Sequence, residues 1–355
     1  MAIKRKKTKV IKIGNRKIGG SNPILVQSMC NTDTMKAKAT IEQIHELQNY
    51  GCEMVRVAVL HLAAAKKLGE IKKGIQIPLI ADIHFDHRLA LEAISQGVDK
   101  IRINPGNIGS LDKIKLVVAA AKKKNIPIRV GVNSGSIEKR ILDKYKNTVT
   151  PAAMVESALY HIRILEKINF RNIVVSLKAT DVNRMIAAYQ ILAEKVDYPL
   201  HLGVTEAGTK WLGTIKSAIG IGALLSQGIG DTIRVSLTDS PVEEVKVAWE
   251  ILKDLGLRKR GRILISCPTC GRTKIDLIAL AKKVEKVTEH IAEPITIAVM
   301  GCVVNGPGEA READIGIAGG QGFGTIFRKG EAIRTVKEDR LLPELLKEID
   351  ILLGK

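Results

Sequence analysis

The chain reads as an α/β protein: an N-terminal (β/α)8 TIM barrel followed by a small α+β domain. Two observations predict the barrel. Eight short apolar runs alternate with eight amphipathic segments of helical period, and their spacing is regular. A third observation predicts the second domain, because from about Gly261 the alternation gives way to a different order of elements. The domains are expected at residues 1–258 and 259–355, with the seam at Arg258–Gly261. A doubly wound open sheet is the competing architecture, but no Gly-rich dinucleotide fingerprint follows the first strand.

Residues 8–20 read as a short hairpin. The strand-like runs are Ile24–Ser28, Glu53–Val59, Pro78–Ile83, Lys100–Ile103, Ile126–Val132, Asn172–Lys178, Pro199–Thr205 and Asp231–Ser236. The helical patterns between and after them are Thr40–Asn49, Leu62–Lys73, Leu89–Gln96, Leu111–Lys124, Ala153–Ile168, Asn183–Val196, Thr214–Ser226 and Val242–Leu255. Extra sequence follows the fifth strand, at residues 133–151. In the second domain Arg262–Ser266 reads as a strand, Lys274–Glu289 as an amphipathic helix and Ile295–Met300 as a strand. Asp314–Ala318 is a further strand, Thr325–Val336 a hairpin about Arg328-Lys329-Gly330-Glu331, and Leu341–Leu353 a closing helix.

Bulk properties exclude several classes. A chain of 355 residues with 45% hydrophobic content can bury a large core. No apolar run approaches the ~20 residues that span a bilayer, so no membrane partner is expected. The basic start, Met1 to Lys9, leads into Val10-Ile11-Lys12-Ile13-Gly14 without the apolar region of a signal peptide. Five cysteines, three of them clustered, do not fit a secreted disulfide framework, so a cytoplasmic location is expected. The formal charge of +19 could suit nucleic acid, but 3% aromatic residues leave few stacking platforms and none is expected. Runs such as Lys122-Lys123-Lys124 read as solvated helix faces, and the remaining excess can draw in a small anion or an acidic electron carrier.

A barrel places its working groups at the C-terminal ends of its strands. Those positions hold Arg56, Asp82 and His84, Arg102 and Asn104, Arg129 and Asn133, Lys178, Thr205 and Glu206, then Arg234 and Ser236. Five cations from five strands around one mouth repel unless an anion neutralises them, and arginine forks match phosphate oxygens in pairs. A diphosphate is the natural guest. Glu206 is a carboxylate within that ring, read either as a proton donor or base or as a counter-ion for its neighbours. Asp82 and His84 share one face of their strand and read equally as substrate contacts or as a structural pair.

The second domain carries Cys267-Pro268-Thr269-Cys270 and, further on, Gly301-Cys302 followed by Asn305-Gly306-Pro307-Gly308-Glu309. Two thiolates three residues apart can grip one metal centre, and a third on a Gly/Pro-rich loop can approach from another side. Three sulfurs suit an iron–sulfur cluster better than a closed zinc site, which takes four Cys/His ligands. The fourth position falls to Glu309 through the intervening turn, or to Cys30 near the mouth. Cys52 reads as core.

In combination these blocks resemble the 4-hydroxy-3-methylbut-2-en-1-yl diphosphate synthase family, in its two-domain bacterial form. The resemblance rests on Val55-Arg56-Val57, Ala81-Asp82-Ile83-His84, Arg102-Ile103-Asn104-Pro105-Gly106-Asn107, Arg129-Val130-Gly131-Val132-Asn133, Ser176-Leu177-Lys178 and Gly203-Val204-Thr205-Glu206-Ala207-Gly208, besides both cysteine blocks, and spans nearly the whole chain. It implies reductive ring opening of 2-C-methyl-D-erythritol 2,4-cyclodiphosphate, with two electrons delivered through a [4Fe-4S] cluster and loss of water. It also implies cluster ligands at Cys267, Cys270, Cys302 and Glu309, and a diphosphate grip by Arg56, Arg102, Arg129, Asn133, Lys178, Arg234 and Ser236. By the same resemblance Glu206 is the acid/base carboxylate and Asn305 reaches towards cluster and substrate. Flavodoxin or ferredoxin as donor, and a homodimer in which the iron–sulfur domain of one subunit closes over its partner's barrel, are also implied. Two rival readings are a pterin-condensing barrel of the dihydropteroate synthase kind, which leaves the three cysteines unused, and an iron–sulfur sensor that binds nucleic acid.

Overall fold

The computed structural model describes residues 3–104, 108–302 and 310–355. The chain divides into two compact units at Arg258/Lys259.

In the first unit an antiparallel hairpin, β1 (Ile11–Ile13) and β2 (Arg16–Ile18), precedes the barrel. Its Ile11, Ile13 and Ile18 are buried against Leu25, Met54, Ile80 and Val174, the first or second residues of four of the barrel strands. The hairpin therefore plugs the bottom of the barrel. Among the described residues the barrel strands are β3 (Leu25–Met29), β4 (Met54–Val59), β5 (Leu79–Ile83), β6 (Lys100–Ile103), β7 (Ile128–Asn133), β8 (Ile173–Lys178), β9 (His201–Leu202) and β10 (Thr232–Ile233). They pair in parallel in sequence order from β3 to β8, and β10 joins β9 to β3. A bridge between Val175 and Leu200 completes the ring. Its helices are α1 (Ala37–Asn49), α2 (Leu62–Lys73), α3 (His87–Ser95), α4 (Leu111–Lys123), α5 (Lys139–Lys144), α6 (Pro151–Lys167), α7 (Val182–Lys195), α8 (Lys210–Ser226) and α9 (Pro241–Asp254). The short α5 occupies the extra sequence after the fifth barrel strand.

Local chemistry starts these helices where the chain leaves the barrel. Thr150 accepts a hydrogen bond from Ala153 N ahead of Pro151, and Asp181 caps α7 by accepting from Arg184 N. Along each strand alternate residues, such as Val55, Val57 and Val59 on β4, pack outward into the core beneath the helices. Their neighbours face the barrel interior. The last two strands are shorter than Pro199–Thr205 and Asp231–Ser236. Past Leu202 the chain runs so close to β10 that a Cβ on Gly203 would lie 2.4 Å from the Arg234 carbonyl oxygen, and regular pairing stops there.

The second unit is a five-stranded sheet in the order β11 (Arg262–Ser266), β12 (Ile295–Met300), β13 (Ile315–Gly319), β14 (Phe323–Arg328) and β15 (Glu331–Lys337). The first three run parallel and the last two are antiparallel. Helices α10 (Leu277–Val287) and α11 (Leu341–Leu353) cover one face, setting Leu277, Val284, Leu341, Leu345 and Ile349 against Ile297, Val299 and Ile317. No helix among the described residues is long and apolar enough to cross a membrane.

Candidate active site

Strand alternation brings Arg56, Arg102, Arg129 and Lys178 into the barrel interior, all buried, and Arg234 joins them just after β10. Two carboxylates face these cations. Asp82 on β5 accepts from Arg102 Nη1 at 3.2 Å and lies 3.6 Å from Arg56 Nε. Glu244, on the first turn of α9, receives Arg234 Nη2 at 3.1 and 3.2 Å and the Leu237 amide at 2.9 Å. Burial alone would push the Asp82 carboxyl up, but Arg56, His84, Arg102 and Arg129 together hold it well below the usual carboxylate range. Burial, reinforced by neighbouring cations, pushes Arg129 and Lys178 well below their ordinary values. The interior is thus short of negative charge, and an incoming anion would relieve both the repulsion and the unmade hydrogen bonds. Arg129 Nε and Nη1 are buried with no hydrogen-bond partner among the described residues.

Around this ring the remaining candidates are placed individually. His84 Nε2 lies 3.0 Å from Arg102 Nη1 and 3.6 Å from Asp82 Oδ1. Ser236 accepts from Arg234 Nη1. Asn133 ends β7 opposite Lys178, with its amide bound to Ser136 Oγ at 3.2 Å. Glu206 is exposed after β9, in the left-handed region at φ +53°, and receives Thr180 Oγ1 at 3.1 Å. A glutamate gains nothing locally from that backbone, which costs about 1 kcal/mol. Two inward glycines make room for cations: a Cβ on Gly131 would meet Arg102 Nε at 2.6 Å, and one on Gly203 would meet Lys178 Nζ at 2.7 Å.

In the second unit the parallel pairing of β11 and β12 sets Ser266 beside Val299. The chains leaving both strands, with Cys267 on one and Cys302 on the other, therefore emerge side by side. The Gly301 amide donates to Cys267 Sγ at 3.2 Å, and Lys274 N donates to Gly301 O at 3.0 Å. Cys270 is exposed. Its thiol is lowered by the Arg272 backbone amide and guanidinium and by Thr273, so it favours the thiolate that binds metal. Cys302 is buried and Cys267 half-buried. The described side chains do not by themselves gather three metal-ligating groups at one point. The donor set nonetheless fits a thiophilic centre: three free thiols on adjoining loops, one already accepting a backbone N–H and one acidified. Asn305 and Glu309 lie outside the described residues. Cys30 and Cys52 are buried in the barrel unit with thiols pushed up to about 12, as core cysteines are.

Sequence reasoning missed Glu244 and Thr180, which hold Arg234 and Glu206, and Lys100, which faces inward below Arg102. The alternation Lys100-Ile101-Arg102 was the available signal for Lys100. No motif marks Glu244.

Residues 8–249 match the model of the GcpE TIM-barrel domain and residues 263–351 that of the GcpE protein C-terminal domain. The chain is 63% identical over 346 residues to a 4-hydroxy-3-methylbut-2-en-1-yl diphosphate synthase (flavodoxin) of Caldanaerobacter subterraneus subsp. tengcongensis, covering 98% of this chain and 97% of that one. It is 61% identical to the enzyme of the same description from Clostridium acetobutylicum, with 98% and 99% covered. Among solved structures, the HPPK-DHPS of Plasmodium falciparum superposes with a TM-score of 0.50 at 14% identity, over 70% of this chain and 49% of that one. This is a likeness of fold alone, and it does not favour the pterin-condensing reading. Matched by both domain models and more than half identical to these synthases along nearly its whole length, the chain belongs to the GcpE family.

Proposed function

We propose that the chain opens the ring of 2-C-methyl-D-erythritol 2,4-cyclodiphosphate reductively, giving (E)-4-hydroxy-3-methylbut-2-enyl diphosphate and water for isoprenoid precursor synthesis. The reaction takes up two electrons and two protons, breaks the C–O bond to one ester oxygen of the cyclic diphosphate, which stays on its phosphorus, and expels a hydroxyl as water. The descriptions of the curated relatives support this reading. The observation that carries it is the cation-rich barrel interior, where Arg56, Arg102, Arg129, Lys178 and Arg234 face only Asp82 and Glu244 among the described residues. Those cations bind the diphosphate and stabilise the charge that develops on its oxygen as the ring opens. Asp82 and Glu244 keep Arg56, Arg102 and Arg234 aimed, while Asn133 and Ser236 lie within the same mouth. Glu206, which accepts a hydrogen bond from Thr180 Oγ1, delivers the proton to the departing hydroxyl in this reading.

Cys267, Cys270, Cys302 and Glu309 would hold a [4Fe-4S] cluster, with Asn305 beside it. When bound, that cluster supplies the two electrons one at a time. An acidic flavodoxin or ferredoxin is the donor that suits a chain of charge +19, and the relatives' names support flavodoxin. A second copy of the chain completes the site, its cluster domain closing over this barrel. The exposed apolar stripe of Trp211, Leu212, Ile215 and Ile219 along α8 supports such a partner. Five free thiols fit a reducing cytoplasm.

Anaerobic reconstitution with iron and sulfide, followed by assay of the cyclic diphosphate with a flavodoxin and its reductase, tests the reading. Cluster absorption with stoichiometric product is expected, and a loaded protein without turnover would overturn it. A milder test concerns Gly131. The methyl of Gly131→Ala must displace the Arg102 guanidinium, whose Nε lies 2.6 Å from the added atom. KM should rise roughly tenfold with little change in Tm, because the displaced group is the far end of a flexible side chain. Steady-state kinetics beside a thermal melt check both parts.

A further inference from the structure

One pleat below the mouth lies a second polar layer that the proposed chemistry leaves unused. Lys100 on β6 faces inward two residues before Arg102 and is fully buried, at 0% exposure. Its one hydrogen bond among the described residues runs from Nζ to Gln27 Oε1 at 3.5 Å. Two of the groups around it are donors: Arg129 presents Nε and Nη1 from β7 and Gln27 presents Nε2 from β3, both buried and unpartnered among the described residues, and the imidazole Nε2 of His201 on β9 is likewise buried and unpartnered. His201 Nδ1 is occupied by Thr232 Oγ1 at 2.8 Å.

Cations outnumber the carboxylates among the charges facing this layer. Arg56 enters from β4, Arg129 from β7 and Arg102 stands a pleat higher on the same strand. Lys178 and Arg234 come from β8 and the segment after β10. Asp82 on β5 is already engaged by Arg102 and Arg56, and Glu244 by Arg234. Burial pushes the Lys100 ammonium well below its ordinary range, and Arg129 and Arg56 push it further. Burial, then Arg129, Lys178, Lys100 and Arg56, do likewise to His201. An ammonium here would be one more uncompensated charge, whereas a neutral amine offers a lone pair to the orphan donors of Arg129 and Gln27.

We propose that Lys100 is an uncharged amine in the unliganded barrel and takes a proton from solvent when a diphosphate occupies the mouth, so that anion binding and charging of this lysine are one linked event. The proposal rests on the diphosphate reading of the mouth. A pleat spans about 7 Å, and in a water-poor interior the field of the anion reaches Lys100 with little screening. The proton becomes the third N–H of the ammonium and returns to solvent when the ligand leaves; no electron moves. Ring opening strengthens the effect. The cyclic diphosphate has one ionisable hydroxyl on each phosphorus, and the linear product gains another on its terminal phosphorus. Lys100 touches no substrate atom and is a positioning residue, acting through the charge and hydrogen bonding beneath Arg129.

The probe is dimethyl diphosphate esterified once on each phosphorus, a dianion that does not itself titrate near neutrality. Calorimetric titration into the full-length protein near pH 8, in two buffers of different ionisation enthalpy, counts protons directly. Wild type should take up about one proton per site, so the dianion's affinity falls about tenfold for each unit rise in pH through the window of uptake. Lys100→Met should bind roughly tenfold more weakly and take up none, which a merely structural role would not produce. Binding to wild type without proton uptake overturns the proposal, and so does unchanged uptake in Lys100→Met, which would transfer the proton to Lys178 or His201. If Lys100→Met does not fold, Lys178→Met and His201→Gln decide together: uptake that persists in both supports Lys100, and uptake that vanishes in either overturns it. Failure of wild type to bind the dianion at all would instead sink the diphosphate site, and this proposal with it.

Discussion

A Cys302→Ala protein should fold, hold almost no iron or acid-labile sulfide, and turn over the cyclic diphosphate at below about one ten-thousandth of the wild-type rate. Folding should survive because Cys302 follows β12, while the core of its unit is built from Val284, Ile297, Val299, Ile317, Leu341 and Leu345. Removing one small buried sulfur there costs about 1 kcal/mol. Activity should not survive, since reductive ring opening needs an electron path and none of the chain's other groups supplies one. The three cysteines should also differ. Cys267 Sγ already accepts the Gly301 amide at 3.2 Å, so Cys267→Ala strips a backbone partner as well as a ligand, and its Tm should fall further than that of Cys302→Ala. Cys267→Ser keeps an acceptor and should recover that difference in Tm without recovering the cluster. Iron and sulfide analysis beside thermal melts reads all three variants. A Cys302→Ala protein with wild-type iron content and turnover would remove this residue from the ligand set.

Most of the barrel was legible because parallel strands buried on both faces read as near-continuous apolar runs. Strands such as Lys100–Ile103 and helices such as Leu62–Lys73 fall where the pattern puts them. The last two strands end where Gly203 passes close to the Arg234 backbone, a tertiary feature that no local pattern carries. Period-two alternation was enough to send Arg56, Arg102 and Lys178 inward. It applied equally to Lys100, which was overlooked because charges were sought at strand ends and not beneath them. Glu244 could not be read at all: a helix carboxylate reaching Arg234 and the Leu237 amide depends on how α9 packs against the barrel. The meeting of Cys267 with Gly301-Cys302 lay between these cases. The cysteine spacing was visible, but their neighbourhood follows only from the parallel register of β11 and β12.

Glu206→Gln should lower kcat by 10²- to 10⁴-fold, the usual contribution of a positioned acid or base, while iron content and substrate KM stay within a few-fold of wild type. The substitution is nearly isosteric, so it keeps the acceptor that Thr180 Oγ1 engages at 3.1 Å but removes the exchangeable proton. The backbone supplies a second handle. Glu206 sits at φ +53°, where glycine is at ease and glutamate is not. Glu206→Gly should therefore raise Tm slightly while lowering turnover at least as far as the glutamine does, and no structural role for the carboxylate predicts that pairing. The same variant tests whether the site is shared between subunits. Glu206→Gln damages the barrel half and leaves the cysteines intact, whereas Cys302→Ala does the reverse. If the cluster domain of one subunit serves its partner's barrel, mixed dimers hold one site with both defects and one with neither. After subunit exchange in an equal mixture, half the dimers are mixed and about a quarter of wild-type turnover should return. If each subunit serves its own barrel, every site stays damaged and no activity returns. Near-normal kcat for Glu206→Gln with a full cluster would remove the carboxylate from proton delivery.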